Sequence, residues 1–327
     1  MRRAELVGKL QKEFRVGLPC GVERGTDTKF KNIWFVVPPA PPRLRPGNLS
    51  LKAIKNAHEV IHRLPSMDQT DELDQMVAYL FIRREAVQSS RMEGTFSTID
   101  QVLTPSEILE DATGYNARAS VLGYAHAIDR EVQGCLEKGV SFFKPNLVRR
   151  VHKSIMEKDP SFHGTAGHIR TATDSKGVVW IGGSGRIENS IYNPAPAKHV
   201  RRCLNEVLQW FSDEELVELG DAGMGLSLPL RIAIGHSHFE AVHPFKDGNG
   251  RVGRVLMTLQ IACARRLPLY LSGFIESEKQ SYISSLSIAQ KKLNYAPIIE
   301  FVCEAIVASH AEAETTKATI RLLPEKW

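Results

Sequence analysis

The stretch that most constrains this chain is His243-Pro-Phe-Lys-Asp-Gly-Asn-Gly-Arg-Val-Gly-Arg254. Its proline and three glycines disfavour a helix through the middle, because proline lacks a backbone donor and glycine costs helix entropy. The mostly apolar run that follows, Val255–Arg266, contains neither residue and predicts a buried helix. A glycine-rich loop therefore leads directly into a helix N-terminus, where free N–H groups and the helix dipole favour an anion.

The charged side chains of this stretch suit phosphate chemistry. Arg251 and Arg254 are three residues apart in the first predicted turn, so both cations lie near one face and match phosphate oxygens. Asp247 is an acid among donors, as expected if Mg²⁺ bridges it to phosphates. His243 is the nearby group that exchanges a proton near neutral pH. The alternative interpretation is a capped helix with a tight turn and two solvated arginines.

The order of these residues resembles the signature of the Fic family, H-[PX]-F-x-[DE]-G-N-G-R-x-x-R, and every fixed position is filled. The resemblance implies an all-α Fic fold, a helical bundle with a β-hairpin flap. It also implies transfer of AMP from ATP to a Ser, Thr or Tyr hydroxyl of a target protein. His243 would be the catalytic base and Asp247 would hold Mg²⁺. The nucleotide-binding positions implied by the signature are Gly248, Asn249, Gly250, Arg251 and Arg254.

A second motif lies at the end of a helix predicted between Thr70 and Gly94. Ser89 and Glu93 are about 40° apart on that helix, on a face away from its apolar stripe. Ser89-Ser-Arg-Met-Glu-Gly94 resembles the inhibitory motif [ST]-x-x-x-E-[GN] of Fic proteins with an N-terminal inhibitory helix. The resemblance implies that Glu93 pairs with Arg254 and blocks the γ-phosphate of ATP. The alternative is a solvated helix end.

The run Gly177–Gly183 is β-branched and aromatic between glycines, which predicts a strand or a hairpin edge. In the Fic family this position holds the flap, which aligns the target segment by strand addition. The resemblance assigns the target clamp to Ile181, with Val179 and Trp180 beside it. A structural hairpin that only covers the core is the alternative.

The resemblance also suggests an adenine pocket beside the predicted helix Glu276–Lys292, with Tyr282 and Gln290 on one side of that helix. We divide the chain into four parts, taken in order along the sequence. They are a basic N-terminal arm with a Pro-rich connector (1–45), a helical region with the inhibitory helix (46–135), the Fic catalytic core (136–312) and a C-terminal tail (313–327).

The five cysteines are scattered and form no Cys-x-x-Cys pair, which favours reduced thiols in the cytoplasm over a disulfide framework or a zinc site. The N-terminus lacks the apolar segment of a secretion signal, and no apolar run approaches ~18 residues. The sequence therefore predicts a cytoplasmic protein without a membrane span.

Positive charge is concentrated near the N-terminus. Residues 1–60 contain 12 Lys and Arg against 5 Asp and Glu, so their net charge is +7 while the remainder carries −2. Such a segment can meet nucleic acid or an acidic partner. Because no DNA-binding motif accompanies it, we interpret it as a solvated segment and do not expect nucleic acid.

Two other functions stay open beside AMP transfer. The same site could remove AMP as a hydrolase, with Glu93 orienting a water molecule. A DNA-binding regulator would explain the basic segment but would leave His243 and Asp247 without a role. The expected partners are ATP and a protein with a hydroxyl side chain. Self-modification is expected, and a homodimer is left open.

Overall fold

The structure is a computed structural model that describes residues 1–25, 28–43, 49–104, 112–174, 178–183, 185–221 and 227–323. Helices dominate these ranges, which confirms the all-α class, and one small antiparallel sheet accompanies them. In the described ranges, no helix is long and apolar enough to cross a bilayer. The helices are α1 (Gly8–Gln11), α2 (Leu51–Arg63), α3 (Glu72–Met92), α4 (Ile99–Leu103), α5 (Ala112–Lys138), α6 (Pro145–Met156), α7 (Ala197–Phe211), α8 (Glu214–Asp221), α9 (Leu228–Val242), α10 (Asn249–Cys263), α11 (Ser272–Ser277), α12 (Lys279–Lys292) and α13 (Ala296–Arg321), and the strands are β1 (Gly21–Arg24) and β2 (Trp34–Val37).

Helices α9 and α10 form the centre of the bundle. Every residue of α9 is buried, and so is every residue of α10 except Gly250. Helix α10 packs against α5, α6 and α9, while α13 packs against α2, α3 and α9. Apolar faces on all sides are typical of a helix enclosed by others. The loop between these two helices is therefore held between two fixed ends.

Helix α3 carries the second motif toward this centre. Its N-cap is Asp71, one residue after the predicted start at Thr70, and the Asp71 side chain accepts from the N–H of Asp74 at 2.7 Å in a capping box. The helix ends at Met92. Gly94 follows with φ of +85°, a conformation that favours glycine. The predicted termination at Gly94 is confirmed.

The N-terminal segment is packed, so the prediction of a solvated segment is wrong. Leu6, Leu10 and Val22 are buried in a small second core together with Tyr192 and Ala241. Strands β1 and β2 pair antiparallel with Gly21 opposite Val37. Burial of these apolar side chains outweighs the cost of ordering a segment that carries so much positive charge. The predicted boundary after residue 45 lies outside the described residues.

The C-terminal tail predicted from residue 313 is a helix for most of its described length. Helix α13 continues unbroken to Arg321, and Ala313 and Ile320 pack against the main core. Lys317 forms an ion pair with Asp74 at the start of α3. These contacts stabilise a helical extension, so the range predicted as a C-terminal tail is helical up to Arg321.

Among the described residues, the predicted flap contains one β-bridge. Ile181 pairs antiparallel with Tyr192, the Ile181 N–H donating to the Tyr192 carbonyl at 2.9 Å. The Ile191 N–H donates to the Ile181 carbonyl at 2.7 Å. Several glycines with positive φ surround this pair and interrupt a longer ladder. Gly177, the first residue of the predicted run, lies outside the described residues.

Candidate active site

The loop from His243 to Gly248 is shaped by its two ends. His243 caps α9 in the left-handed region with φ of 51°, and Pro244 cannot continue the helix. Gly248 precedes α10 with φ of +74°, and a Cβ there would meet the Met156 sulfur at 2.6 Å. Only glycine fits this position without displacing its neighbour. The sequence therefore fixes both turns of the loop.

The Asn249 side chain closes the loop from within. Its Oδ1 accepts from the Phe245 N–H at 2.8 Å, and its Nδ2 donates to the Phe245 carbonyl at 2.9 Å. Asn249 is 1% exposed, so these bonds form in a low-dielectric interior where they are strong. The Asn249 side chain therefore holds the loop together, which leaves its backbone N–H for the predicted contact with nucleotide.

Arg170 anchors the loop from outside the motif. Its guanidinium donates to the carbonyls of Ala195, Val242 and His243 at 2.7–3.1 Å. The backbone N–H of Arg170 donates to the Pro244 carbonyl at 2.9 Å. These carbonyls belong partly to the C-terminus of α9, where a cation is favourable. Burial lowers the pKa of Arg170 to about 10, so it stays charged at neutral pH.

His152 supports the loop from α6. Its Nδ1 accepts from the Gly167 N–H at 2.7 Å, so Nε2 carries the proton and donates to the Asp247 carbonyl at 3.1 Å. The ring stacks on Phe245 with centroids 3.8 Å apart. Burial lowers the pKa of His152 to about 4, so the ring is neutral under ordinary conditions. His152 is a structural support of the loop.

His243 faces a buried acid of its own helix. Its Nδ1 lies 3.5 Å from Glu240 Oε2, and the two side chains are 17% and 8% exposed. Burial favours the protonated form of Glu240, but the neighbouring His243, His236 and Arg254 outweigh it, so the pKa of this carboxyl is lowered. A carboxylate beside Nδ1 stabilises a proton there and leaves Nε2 as the ring nitrogen that can accept one.

The first turn of α10 forms an anion cradle, by which we mean the N–H groups of Gly248, Asn249 and Gly250 with the Arg254 guanidinium. Helix N-terminal N–H groups lack partners within the helix and point outward. Asp247 stands at the rim with an exposed side chain, and its Oδ1 accepts from the Gly248 N–H at 2.6 Å. The Gly248 N–H is therefore already bonded to Asp247, and the cradle places the N–H groups of Asn249 and Gly250, a cation and one acid together.

Arg254 is held by the end of α3. Its Nε donates to Ser89 Oγ at 2.7 Å, and its Nη2 donates to the Ser89 carbonyl at 3.0 Å and to Glu93 Oε1 at 2.8 Å. Arg254 is 2% exposed, whereas the Glu93 side chain is 37% exposed. Burial works against the charged guanidinium, yet the charge of Glu93 raises the pKa of Arg254 above its usual value. The two motifs thus meet in one ion pair.

Glu93 also covers the anion cradle. A Cβ on Gly250 would lie 2.5 Å from Glu93 Oε1 and 3.0 Å from Arg254 Nη1. The absence of a side chain at Gly250 is what lets the carboxylate approach the first turn of α10. Glu93 therefore occupies space that an anionic ligand of the cradle would need.

A second buried acid lies behind Arg254. Glu85 accepts from Tyr124 Oη at 3.1 Å, from the Ser272 N–H at 2.7 Å and from Ser272 Oγ at 2.6 Å. Burial raises the pKa of Glu85 despite these donors. The three residues tie α3, α5 and α11 together. The end of α3 is thus fixed on its buried side, while Glu93 reaches out from its last turn.

Arg251 has a partner of its own. Its Nη1 donates to Asp159 Oδ2 at 2.6 Å, and the two side chains are 3% and 2% exposed. Burial raises and the contacts from Ser161 and Arg251 lower the pKa of Asp159, with a net decrease. The two arginines of the motif therefore point to different partners. The predicted contact of Arg251 with the nucleotide stays a prediction.

The predicted adenine contacts are buried on α12. Tyr282 is 4% exposed, and its Oη lies 2.6 Å from His236 Nε2. Burial raises the pKa of Tyr282, and Arg254 and Glu240 are among the charges that act on it. Gln290 is 7% exposed. Tyr282 therefore borders the Arg254 end of the site, and the adenine contacts stay predictions.

The flap residues lie on the other side of the loop. Val179 is 8% exposed and borders the same groove as Lys246, while Ile181 packs on the second core. The structure brings His243, Asp247, the cradle, Ser89 and Glu93 together. It places the flap at the edge of that group, and the clamp role of Ile181 stays a prediction.

Three supporting residues were missed by the sequence analysis: Glu240, Arg170 and His152. Glu240 stands three residues before His243 on a helix, a spacing that could have indicated the contact. Arg170 and His152 are far from the loop in sequence. Arg170 lies 73 residues before His243, and His152 lies 95 residues before Asp247. No local pattern predicts such pairings.

Comparisons with known families agree with both motifs. The model of the Fic/DOC family matches residues 142–261, and the model of the Fic/DOC family N-terminal region matches residues 51–133. These two ranges cover more than half of the chain and include both the signature loop and the end of α3.

Curated relatives are similar over shorter stretches. The probable protein adenylyltransferase aq_aa38 of Aquifex aeolicus (strain VF5) is 28% identical over 120 residues, 34% of this chain and 34% of that protein. The protein adenylyltransferase fic-1 of Caenorhabditis elegans is 30% identical over 148 residues, 45% of this chain and 23% of that protein. The chain thus matches about a third or less of the length of these relatives.

Solved structures share the fold. A Fic family protein from Desulfovibrio desulfuricans G20 superimposes with a TM-score of 0.61 at 19% identity, over 84% of this chain and 77% of that one. A fragment of Fic-1 from C. elegans gives a TM-score of 0.60 at 19% identity, over 81% of this chain and 71% of that one. The arrangement of helices around α9 and α10 is therefore shared with these proteins.

Proposed function

Because this chain belongs to the Fic/DOC family, we propose that it transfers AMP from ATP to a Ser, Thr or Tyr hydroxyl of a protein, and that Glu93 restrains the transfer. The observation that carries the proposal is the convergence of His243, the anion cradle and the Glu93–Arg254 ion pair around one helix N-terminus. The curated relatives named protein adenylyltransferase support the reaction class.

His243 supplies the base for the transfer. The target hydroxyl loses its proton to His243 Nε2 as its oxygen bonds to the α-phosphorus of ATP. The bond from that phosphorus to the bridging oxygen breaks, and pyrophosphate leaves with the electron pair. Glu240 beside Nδ1 holds the ring in orientation and stabilises the imidazolium that forms. A positioned base of this kind contributes ~10²–10⁴-fold in rate.

The cradle stabilises charge on the transferred and leaving phosphates. Backbone N–H groups at a helix N-terminus are fixed before the reaction, so they need no reorganisation in the transition state. Arg254 would clamp the far end of the triphosphate once Glu93 releases it. Catalysis on this account is positioning plus electrostatic stabilisation, as in other phosphoryl transfers.

Asp247 fits the role of a Mg²⁺ ligand. Magnesium usually binds through one or two carboxylates together with substrate phosphates and waters. Asp247 provides one exposed carboxylate at the rim of the cradle. In the part of the chain that the structure describes, no cluster of three or more His, Cys, Asp or Glu could hold a metal alone. Bound Mg²⁺ would neutralise charge on the triphosphate, and Asp247 would orient it.

Glu93 acts as a competitor of the triphosphate. Its carboxylate takes the Arg254 donor and the space over Gly250 that a γ-phosphate would need. ATP bound with that phosphate displaced would place the α-phosphorus away from the in-line position. A misplacement of ~1 Å can cost on the order of 10²-fold in rate. The brake therefore works by geometry and leaves the catalytic groups intact.

The direct test is incorporation of label from ATP in the presence of Mg²⁺, comparing ATP labelled at the α-phosphate with ATP labelled at the γ-phosphate. Transfer of AMP labels protein from α-labelled ATP only. The Glu93→Gly protein serves as the released form, and self-modification provides an acceptor. Label that enters from γ-labelled ATP would show a kinase and would overturn the proposal.

Removal of AMP is a second candidate, favoured by one observation. The Glu93 side chain is 37% exposed at the cradle, so it can meet a water molecule as well as Arg254. In that case Glu93→Gly would leave AMP transfer unchanged and abolish release of AMP from a modified protein. Measurement of both reactions on the same variant separates the two functions.

A further inference from the structure

The N-terminal segment supports the flap through a chain of paired strands. The Val22 N–H donates to the Lys12 carbonyl at 2.8 Å, and β1 pairs with β2. The Val36 N–H of β2 donates to the Asn193 carbonyl at 2.9 Å, next to the bridge between Ile181 and Tyr192. The segment lies outside both matched family ranges.

A groove of ≈ 670 Å³ lies between this N-terminal sheet and the flap. One wall comes from the end of β1 and from Lys29 and Phe30, and the other from the flap at Val179 and Trp180. Its aromatic lining includes Phe30, Phe35 and Trp180. A volume of this size with an apolar floor accommodates several side chains of a bound segment.

The rim of the groove is basic. Arg24, Lys29, Lys198 and Lys246 border it with exposed side chains. The acids on its border are Glu23 and Asp174. Glu23 is paired with Lys198 and His199, and Asp174 lies 3.1 Å from His168 Nε2. Among the described residues, and with buried Arg170 included, the lining carries five cations and two acids, a net charge of +3. Lys198 is one of these cations and pairs with Glu23.

The groove leads to the signature loop. Lys246 belongs to both, three residues after His243, and Arg170 lines the groove while its guanidinium holds the His243 carbonyl. A polypeptide in the groove would therefore lie within a few residues of the base. The groove is also separate from the cradle, since none of its lining residues belongs to the cradle.

We propose that this groove, between the N-terminal sheet and the flap, docks an acidic, extended segment of the target protein next to the hydroxyl that is modified. Modification of the docked segment rests on the proposed AMP transfer, whereas binding of the segment does not. Carboxylates of the segment pair with the basic rim, which favours encounter and register. An apolar side chain of the segment packs on the aromatic floor.

A protein segment fits better than nucleic acid. Net charge +3 on the lining is small for a polyanion surface, where binding depends on many phosphate contacts. Part of the lining is apolar and enclosed, and a protein side chain can fill such a pocket. The site also ends at the flap, whose bridge offers a strand edge for a peptide backbone.

The binding test uses a fluorescein-labelled peptide with a central threonine flanked by glutamates, and a matched peptide with lysine in place of every glutamate. Anisotropy with the full chain should show binding of the acidic peptide and at least about tenfold weaker binding of the basic one. Arg24→Glu/Lys29→Glu should weaken the acidic peptide about tenfold. The matched control is Lys52→Glu/Lys55→Glu on α2, away from the groove, which should leave binding unchanged.

Three results would overturn the proposal. The two peptides could bind equally, or the groove variant could bind the acidic peptide as the wild type does. Binding of a labelled DNA duplex could also require Arg24 and Lys29 while binding of the acidic peptide does not. That result would make the groove a nucleic-acid surface.

AMP transfer separates this proposal from the proposed function. In the Glu93→Gly background, label from α-labelled ATP should enter the acidic peptide at least about tenfold faster than the basic one, and Arg24→Glu/Lys29→Glu should remove that preference. Equal labelling of both peptides contradicts the groove and leaves AMP transfer standing. Groove-dependent binding with no label in any acceptor contradicts AMP transfer and leaves the groove standing.

Discussion

The signature loop and the end of α3 meet at Arg254 but are held in different ways. The loop is fixed by buried bonds from Asn249, Arg170 and His152, drawn from three separate parts of the chain. Glu93 is the C-cap residue of α3, its side chain is 37% exposed, and it accepts a hydrogen bond of 2.8 Å from Arg254. We therefore expect the loop to be the rigid region and Glu93 to be the part that can move.

This difference suggests how a site can be complete and still restrained. A buried, fully bonded loop keeps its geometry whether or not the brake is engaged. An exposed carboxylate near a helix end can leave its partner at modest cost, since helix ends fray and solvent screens the pair. Ser89 keeps Arg254 oriented through two further bonds when Glu93 departs.

The largest effect is expected at His243. His243→Ala in the Glu93→Gly background should lower AMP transfer ~10²–10⁴-fold, because the base is lost while the cradle stays. Some loss of stability is expected as well, because the His243 side chain is only 17% exposed and lies beside the buried Glu240. Label incorporation and urea unfolding on the same preparation check both points. Transfer at the level of the parent protein would remove His243 from the mechanism.

Arg170 should dominate the stability of the loop. Arg170→Met keeps the length of the side chain but leaves the carbonyls of Ala195, Val242 and His243 without their buried donor. A loss of about 3 kcal/mol in unfolding free energy is expected, with a parallel loss of transfer. Arg149→Met is the control, since its exposed side chain gives one bond of 3.2 Å to Gly167. Equal effects of the two variants would refute the anchoring role.

Acid should weaken the rigid region through His238 of α9. Burial lowers the pKa of His238 to about 3, below the value of about 6.5 in an unfolded chain, so the folded state resists protonation. Its stability contribution is complete above pH ~6.5 and falls as the pH drops toward ~3, by about 2 kcal/mol at pH ~5.

Urea unfolding of the wild type and of His238→Gln at pH ~7.5 and pH ~5 measures this contribution. The glutamine can still bond to Tyr295 Oη, which lies 2.9 Å from His238 Nε2. The variant should lose about 2 kcal/mol less on acidification. An identical pH dependence in both proteins would show that His238 titrates normally in the fold.

The smallest effect is expected at the outer support of the brake. Lys279 Nζ donates to the Met92 carbonyl at 2.9 Å at the exposed end of α3. Lys279→Gln should loosen that end by about 0.5 kcal/mol and raise basal transfer about twofold. Lys292→Gln, at the other end of α12, is the control. A fall in transfer for Lys279→Gln would mean that this contact supports activity instead of restraint.

The sequence predicted those parts of the site whose cause is local. Pro244 and Gly248 break the chain on either side of the loop, the apolar run after it forms α10, and Gly94 ends α3. Glu93 and Arg254 were linked through the family resemblance, since 161 residues separate them.

The parts that sequence could not predict depend on partners far along the chain. Arg251 pairs with Asp159, which is 92 residues away, because a buried guanidinium is stabilised by a carboxylate partner. The N-terminal segment folded against Asn193, and its positive charge gave no sign of the apolar core beneath it. Long-range pairing of this kind leaves no periodic pattern in the sequence.

The opposite fates of Glu93 and Arg254 test the central claim most directly. AMP transfer from α-labelled ATP should be measured for Glu93→Gly, Arg254→Ala and the double variant. Glu93→Gly should raise transfer on the order of 10²-fold, because the γ-phosphate can then bind at Arg254. Arg254→Ala frees the cradle but loses the phosphate clamp, so it and the double variant should both stay low. A rise in Arg254→Ala equal to that in Glu93→Gly, or a fall in Glu93→Gly, would contradict a brake that works through this ion pair.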